Sequence, residues 1–144
     1  MKKCYLDTNI LLYFTNPSAE LHEKTVELIS SLLLQNWALF ISALVLDEYF
    51  HNALRFSQFP KKEALQDLKK GFGKIKKLKN INLVHSTLEL KKQTKVLKLM
   101  EKYQLRARDA YHLFMMRENQ IKYFATFDND FETVFKKRLV RKFG

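Results

Sequence analysis

Short unbroken apolar runs take turns along this chain with longer stretches whose apolar positions recur near every 3.6 residues. Residues 3–7 predict a short buried strand, with the polar pair Thr8–Asn9 at its exit and a second apolar stretch, Ile10–Phe14, behind it. A helix is predicted from Ser18, just after Pro17, carrying Leu21, Thr25, Leu28, Ile29, Leu32 and Leu33 on one face. Trp37–Ile41 reads as a fully buried strand of the parallel type. Ser42 stands where an N-cap belongs, before a helix over 43–55 whose apolar face is expected to run through Ala43, Leu46, Phe50, Ala53 and Leu54. Pro60 opens a Lys-rich helix, broken or kinked near Gly71 and Gly73. Strand 81–84, helices 87–103 and 108–119, strand 123–127, a helical turn at 129–136 and an edge strand at 139–143 complete the prediction. Strands alternating with helices imply an α/β fold with a central, mainly parallel sheet.

Composition narrows this further. With 144 residues, 47% of them hydrophobic, three Gly and two Pro, the chain reads as one domain over 1–144 without a linker or a disordered half. No window reaches the roughly 18 continuous apolar residues of a membrane span. Asp7 and Asn9 interrupt what would be the apolar part of a leader, and a single Cys allows no intrachain disulfide, so the expected compartment is the cytoplasm. The excess of 26 Lys+Arg over 15 Asp+Glu, a net charge of +11, favours a polyanionic partner, nucleic acid before an anionic membrane.

Against that basic background a few acids fall at informative places. Asp7 sits between two apolar segments, where an ionised carboxylate is costly unless donors or a cation answer it. It is either a local cap or a ligand. Asp128 also follows a strand, and ligands of parallel sheets bind beyond the carboxyl ends of strands. Glu48 lies on the helix after Ser42, aligned with Leu44, Val45, Asn52 and Arg55; on its own it reads as part of a polar stripe. Asp109 opens the helix whose Ala110, Leu113 and Phe114 face inward, and alone it is a first-turn acid favoured by the helix dipole. Asp128 and Asp130 in "FDNDF" alone would be helix caps. The order and spacing of the set is what distinguishes it.

Four stretches, "YLDTNILLYF", "ISALVLDEYF", "LRARDAYHLFM" and "YFATFDNDFETV", together resemble the PIN-domain family, and within it the VapC-type toxin ribonucleases. The resemblance spans essentially the whole chain and implies a three-layer α/β/α sandwich. It also implies that Asp7, Glu48, Asp109 and Asp128 converge to hold Mg²⁺ or Mn²⁺, with Asp130 a candidate fifth ligand. Thr8, Asn9 and Thr126 would support those ligands with hydroxyl and amide groups; plain turn chemistry accounts for them equally well. Two features depart from the pattern: bulky His112, Phe114, Met115 and Met116 in place of small residues, and the Lys-rich insert at 61–79.

Clustered carboxylates repel, and a hard divalent ion removes the conflict. Such a set implies Mg²⁺-dependent hydrolysis of RNA phosphodiesters, leaving a 5′-phosphate and a 3′-hydroxyl as in the family. The resemblance further implies a toxin with a small antitoxin partner and a homodimer. The alternatives are an RNA-processing PIN nuclease without an antitoxin, or a non-catalytic RNA-binding module. His22, His51, His85 and His112 show no HExxH or H-x-x-x-H spacing, so a zinc hydrolase is not expected. No Gly-rich phosphate loop is present, and Cys4 in its apolar strand reads as packing. The place of a second acid two positions after Asp7, which an aspartyl-phosphate mechanism needs, is taken by Asn9. Lys69, Lys70, Lys74, Lys76, Lys77 and Lys79 read as a solvated helical face or, more sharply, as a phosphate track for RNA.

Overall fold

The computed structural model describes residues 1–143. Five strands form one sheet in the order β3-β2-β1-β4-β5, and every neighbouring pair is parallel. They are β1 (Lys3–Leu6), β2 (Ala38–Ser42), β3 (Ile81–Val84), β4 (Tyr123–Ala125) and β5 (Arg141–Lys142). Among the described residues seven α-helices surround the sheet: α1 (Thr8–Thr15), α2 (His22–Leu34), α3 (Ala43–Arg55), α4 (Lys61–Lys76), α5 (Thr94–Tyr103), α6 (Ala107–Glu118) and α7 (Glu132–Lys136). The expected α/β architecture is therefore present, with a sheet that is wholly rather than mainly parallel.

β1 is the central strand, flanked by β2 and β4, and Cys4, Tyr5 and Leu6 are inaccessible to solvent. Alternation along the strand sends Tyr5 to the face where it meets Phe124 and His112, at ring-centroid distances of 5.6 and 5.7 Å. Burial pushes the Cys4 thiol up to about 12, so it packs as a small apolar group.

Several predicted boundaries shift for identifiable reasons. Residues 8–15 form a helix, because Asp7 caps them by accepting the Thr8 N–H, and Ile10 and Leu11 are fully buried. α2 begins at His22 rather than Ser18, since residues 17–21 are taken up by turns. Ser42 does cap α3, accepting from Val45 N at 3.1 Å. The fully buried positions of α3 are Val45 and Tyr49, while Ala43 and Leu54 are exposed, so the inner face is rotated toward Glu48. α4 runs unbroken through both glycines. A Cβ on Gly71 would stand 2.8 Å from Tyr49 Oη, so this glycine serves close helix contact, whereas Gly73 faces open space. The predicted helix 87–103 is a 3-10 turn at Leu90–Gln93 followed by α5, and the last two strands are shorter than predicted, ending at Ala125 and spanning only Arg141–Lys142.

Candidate metal centre

The acids gather where β1, α3, α6 and β4 meet. Asp7 follows the central strand: its N–H still bonds Ala125 O of β4 at 3.0 Å, while its side chain turns to the N-terminus of α1. One carboxylate oxygen accepts Thr8 N at 2.8 Å and the other accepts Thr126 Oγ1 at 2.6 Å. Asp7 is thus a cap, as one of its two readings expects, and its hydrogen bonds leave lone pairs free on both oxygens. Burial pushes the Asp7 carboxyl up from its ordinary value; the Thr126 and Thr8 hydrogen bonds and the charge of His112 oppose that, and Glu48 adds to it.

Glu48 comes within reach of Asp7 through Thr8. The Thr8 hydroxyl donates to Glu48 Oε2 at 2.9 Å while the Thr8 N–H donates to Asp7. Glu48 Oε1 lies 3.0 Å from His112 Nε2. Burial pushes the Glu48 carboxyl up, but His112, Thr8 and Arg108 together outweigh it, and the net shift is downward. Ligand atoms of Asp7, Glu48 and His112 all lie within 4.8 Å of one another.

Asp109 stands in the first turn of α6, half-buried. Its carboxyl is pushed up to about 6, first by burial and then by the negative charges of Asp130, Asp128 and Asp7, with His112 opposing. Asp128 caps the 3-10 turn Asn129–Phe131, accepting Asp130 N at 3.0 Å, and its own N–H donates to Thr126 Oγ1 at 2.9 Å. Asp130 is exposed. The expected four-acid pocket therefore has a tight inner part, Asp7 and Glu48. Asp109, Asp128 and Asp130 stand outside that compact group, and Asp109 feels the charges of Asp130, Asp128 and Asp7. Asn9 accepts Phe127 N at 3.4 Å and steadies the exit of β4.

His112 is the residue that sequence reasoning passed over, because it has no second histidine at ligand spacing. Its one signal was position: it follows Asp109 by one helical turn on α6, so both look the same way. Its two ring nitrogens are occupied by Glu48 and Tyr5, the latter at 2.7 Å. The atoms left for a cation are carboxylate oxygens, and an oxygen set suits Mg²⁺ or Mn²⁺. The clustered carboxylate oxygens therefore fit such an ion.

The expected Lys positions on α4 and just after it are all exposed, and none pairs with a carboxylate among the described residues. Among the described residues no helix is long and apolar enough to cross a membrane.

Fold and site together define a parallel α/β domain with carboxylates clustered at the carboxyl ends of its central strands. The family model of the PIN domain matches residues 4–137, and the chain belongs to that family. The VapC20 toxin of Mycobacterium tuberculosis is similar in structure, at a TM-score of 0.66 and 20% identity over 91% of this chain and 94% of that one. FitAcB of Neisseria gonorrhoeae matches at 0.65 and 18%, over 98% and 96% of the two chains. VapBC2 of Rickettsia felis, bound to a DNA fragment from its promoter, matches at 0.60 and 18%, over 97% and 96%. These likenesses carry the three-layer α/β/α fold. No curated protein matches the chain significantly.

Proposed function

We propose that this chain is a Mg²⁺- or Mn²⁺-dependent endoribonuclease, a single nuclease domain over residues 1–144, and the toxin half of a toxin–antitoxin pair. The observation that carries the reading is the Thr8 bridge, which draws Asp7 and Glu48 together at the carboxyl end of the central strand. Membership of the PIN family and the likeness to VapC20, described as a toxin that cleaves the sarcin-ricin loop, support it. In this reading Asp7, Asp109 and Asp128 hold the cation, Glu48 completes its surroundings or orients the attacking water, and Asp130 contributes from the rim. Thr8 and Thr126 fix the carboxylates of Glu48 and Asp7. When bound, the ion supplies Lewis acidity and positive charge where the phosphodiester accumulates negative charge. The exposed lysines of α4 draw in the RNA backbone.

The likeness to VapBC2 and FitAcB supports an antitoxin as protein partner, and a homodimer and a cytoplasmic location belong to the same proposal.

The test is cleavage of end-labelled RNA by the purified protein with Mg²⁺, with EDTA, and with the Asp7→Asn variant. Cleavage that stops in both controls is expected. RNA bound but uncut, with binding indifferent to chelator, would instead make the chain a non-catalytic RNA-binding module.

A further inference from the structure

A chain of buried polar groups runs behind the acids. Ser42 Oγ lies 2.7 Å from Tyr5 Oη, Tyr5 Oη lies 2.7 Å from His112 Nδ1, and His112 Nε2 lies 3.0 Å from Glu48 Oε1. Tyr5 and Ser42 are fully buried and His112 is 1% exposed. A hydroxyl, a phenol and an imidazole inside a core are expensive unless each is satisfied, and apolar side chains of like size would fill the space at lower cost. No buried side-chain polar atom among the described residues lacks a partner, so the chain is complete.

Each member of it stands beside one of the acids. Tyr5 precedes Asp7 by two positions on β1. Ser42 caps α3, the helix that carries Glu48. His112 follows Asp109 by a single turn on α6. The relay thus ties together the three elements that present Asp7, Glu48 and Asp109, and it ends on a carboxylate oxygen.

We propose that His112, held by Tyr5 and Ser42, is a positioning residue that fixes the Glu48 carboxylate for a divalent cation without itself being a ligand. The proposal rests on the metal-site reading above and deepens it. A carboxylate clamped by Thr8 on one oxygen and His112 on the other has one orientation, so a cation meets it without reordering a side chain.

Mn²⁺ titration followed by electron paramagnetic resonance tests this on wild type, His112→Leu, His112→Gln and Tyr5→Phe, with a thermal melt of each. Replacing His112 by Leu is expected to weaken Mn²⁺ binding about 10–100-fold. Gln keeps an N–H donor and is expected to recover most of that affinity, with Tyr5→Phe in between. Pulsed spectra of the Mn²⁺-loaded wild type are expected to show no directly coordinated nitrogen.

A folded His112→Leu protein with wild-type affinity overturns the proposal, and so does a coordinated nitrogen, which would make His112 a ligand. If the Leu variant fails to fold, Tyr5→Phe decides, since it removes one hydroxyl and little volume; unchanged affinity there overturns the proposal. RNA cleavage separates the two readings. Wild type that binds Mn²⁺ with the expected variant pattern but cuts no RNA ends the nuclease reading and supports the brace. Wild type that binds no Mn²⁺ ends both.

Discussion

Thr126 Oγ1 donates to Asp7 Oδ2 at 2.6 Å, joining residues 119 positions apart, and the same oxygen accepts the Asp128 N–H. One hydroxyl therefore sets the Asp7 carboxylate and the turn that carries Asp128. Thr126→Val keeps the shape and removes both bonds, leaving a buried carboxylate short of a donor. The expected cost is about 1–3 kcal/mol of stability together with a fall in cleavage. Thr126→Ser should restore most of both. Chemical denaturation and RNA cleavage read the two effects, and a Val variant as stable and active as wild type refutes the assignment.

Asp109 gives a pH signature. Unfolded, it titrates near 3.8; folded and metal-free, near 6. Between those values the folded protein binds the extra proton, so this group adds stability at low pH that is lost as pH rises through about 6. The whole shift corresponds to about 3 kcal/mol, and solvent screening of a half-buried carboxyl reduces it to about 1 kcal/mol. Asp7, also pushed up, acts in the same direction. Glu48 acts oppositely: its carboxyl is lowered, so its contribution is full above 4.5 and fades as pH falls through the folded value. Metal-free protein should therefore melt higher at pH 5.5 than at pH 7.5, and Asp109→Asn should flatten that rise. Equal melting temperatures at the two pH values in wild type count against it.

The same proton competes with a cation. Mn²⁺ affinity should hold above pH 6 and decline below it, as Asp109 takes up its proton. Calorimetric titration across that range measures the decline, and an affinity constant down to pH 5 excludes Asp109 as a ligand.

The two glycines of α4 should respond oppositely to alanine. Gly73→Ala meets nothing and gains helix propensity, an expected stabilisation of about 0.5–1 kcal/mol. Gly71→Ala drives a methyl against Tyr49 Oη and Thr15 Cβ and should cost about 1–3 kcal/mol. A pair of melting curves decides it.

The α4 lysines should be felt through salt. With the Asp7→Asn protein, which is expected not to cut RNA, every phosphate that a lysine no longer neutralises lowers the slope of log affinity against log salt by about 0.7 for single-stranded RNA. Lys69→Gln with Lys70→Gln should flatten the slope; an unchanged one removes these residues from the RNA path.

Much of this molecule is legible in its sequence, and the exceptions have causes. β2 and the Ser42 cap are visible because an apolar run and a capping hydroxyl are local signals. α1 is hidden because Ile10–Phe14 is too short and too uniformly apolar to show a helical period, and its cap is the same Asp7 that reads as a ligand. The inner face of α3 is misread because Tyr49, buried against Gly71 of α4, is set by a partner that no local pattern announces. Glu48 alone reads as part of a polar stripe and is singled out only by its place in the ordered set of acids, whereas Asp7 stands out as an acid between two apolar segments. His112 does not, since its meaning comes from Tyr5 and Glu48, both far away in the chain.

β1 lies in the middle of the sheet, and one of its two neighbours is made of residues 123–125. A ribosome producing this chain has translated residues 1–122 before that neighbour exists. Until then the nascent polypeptide carries Asp7 with the Thr126 hydroxyl still unmade. The constellation can close only once residues 123–128 have been made, so the timing of its assembly is written into the strand order.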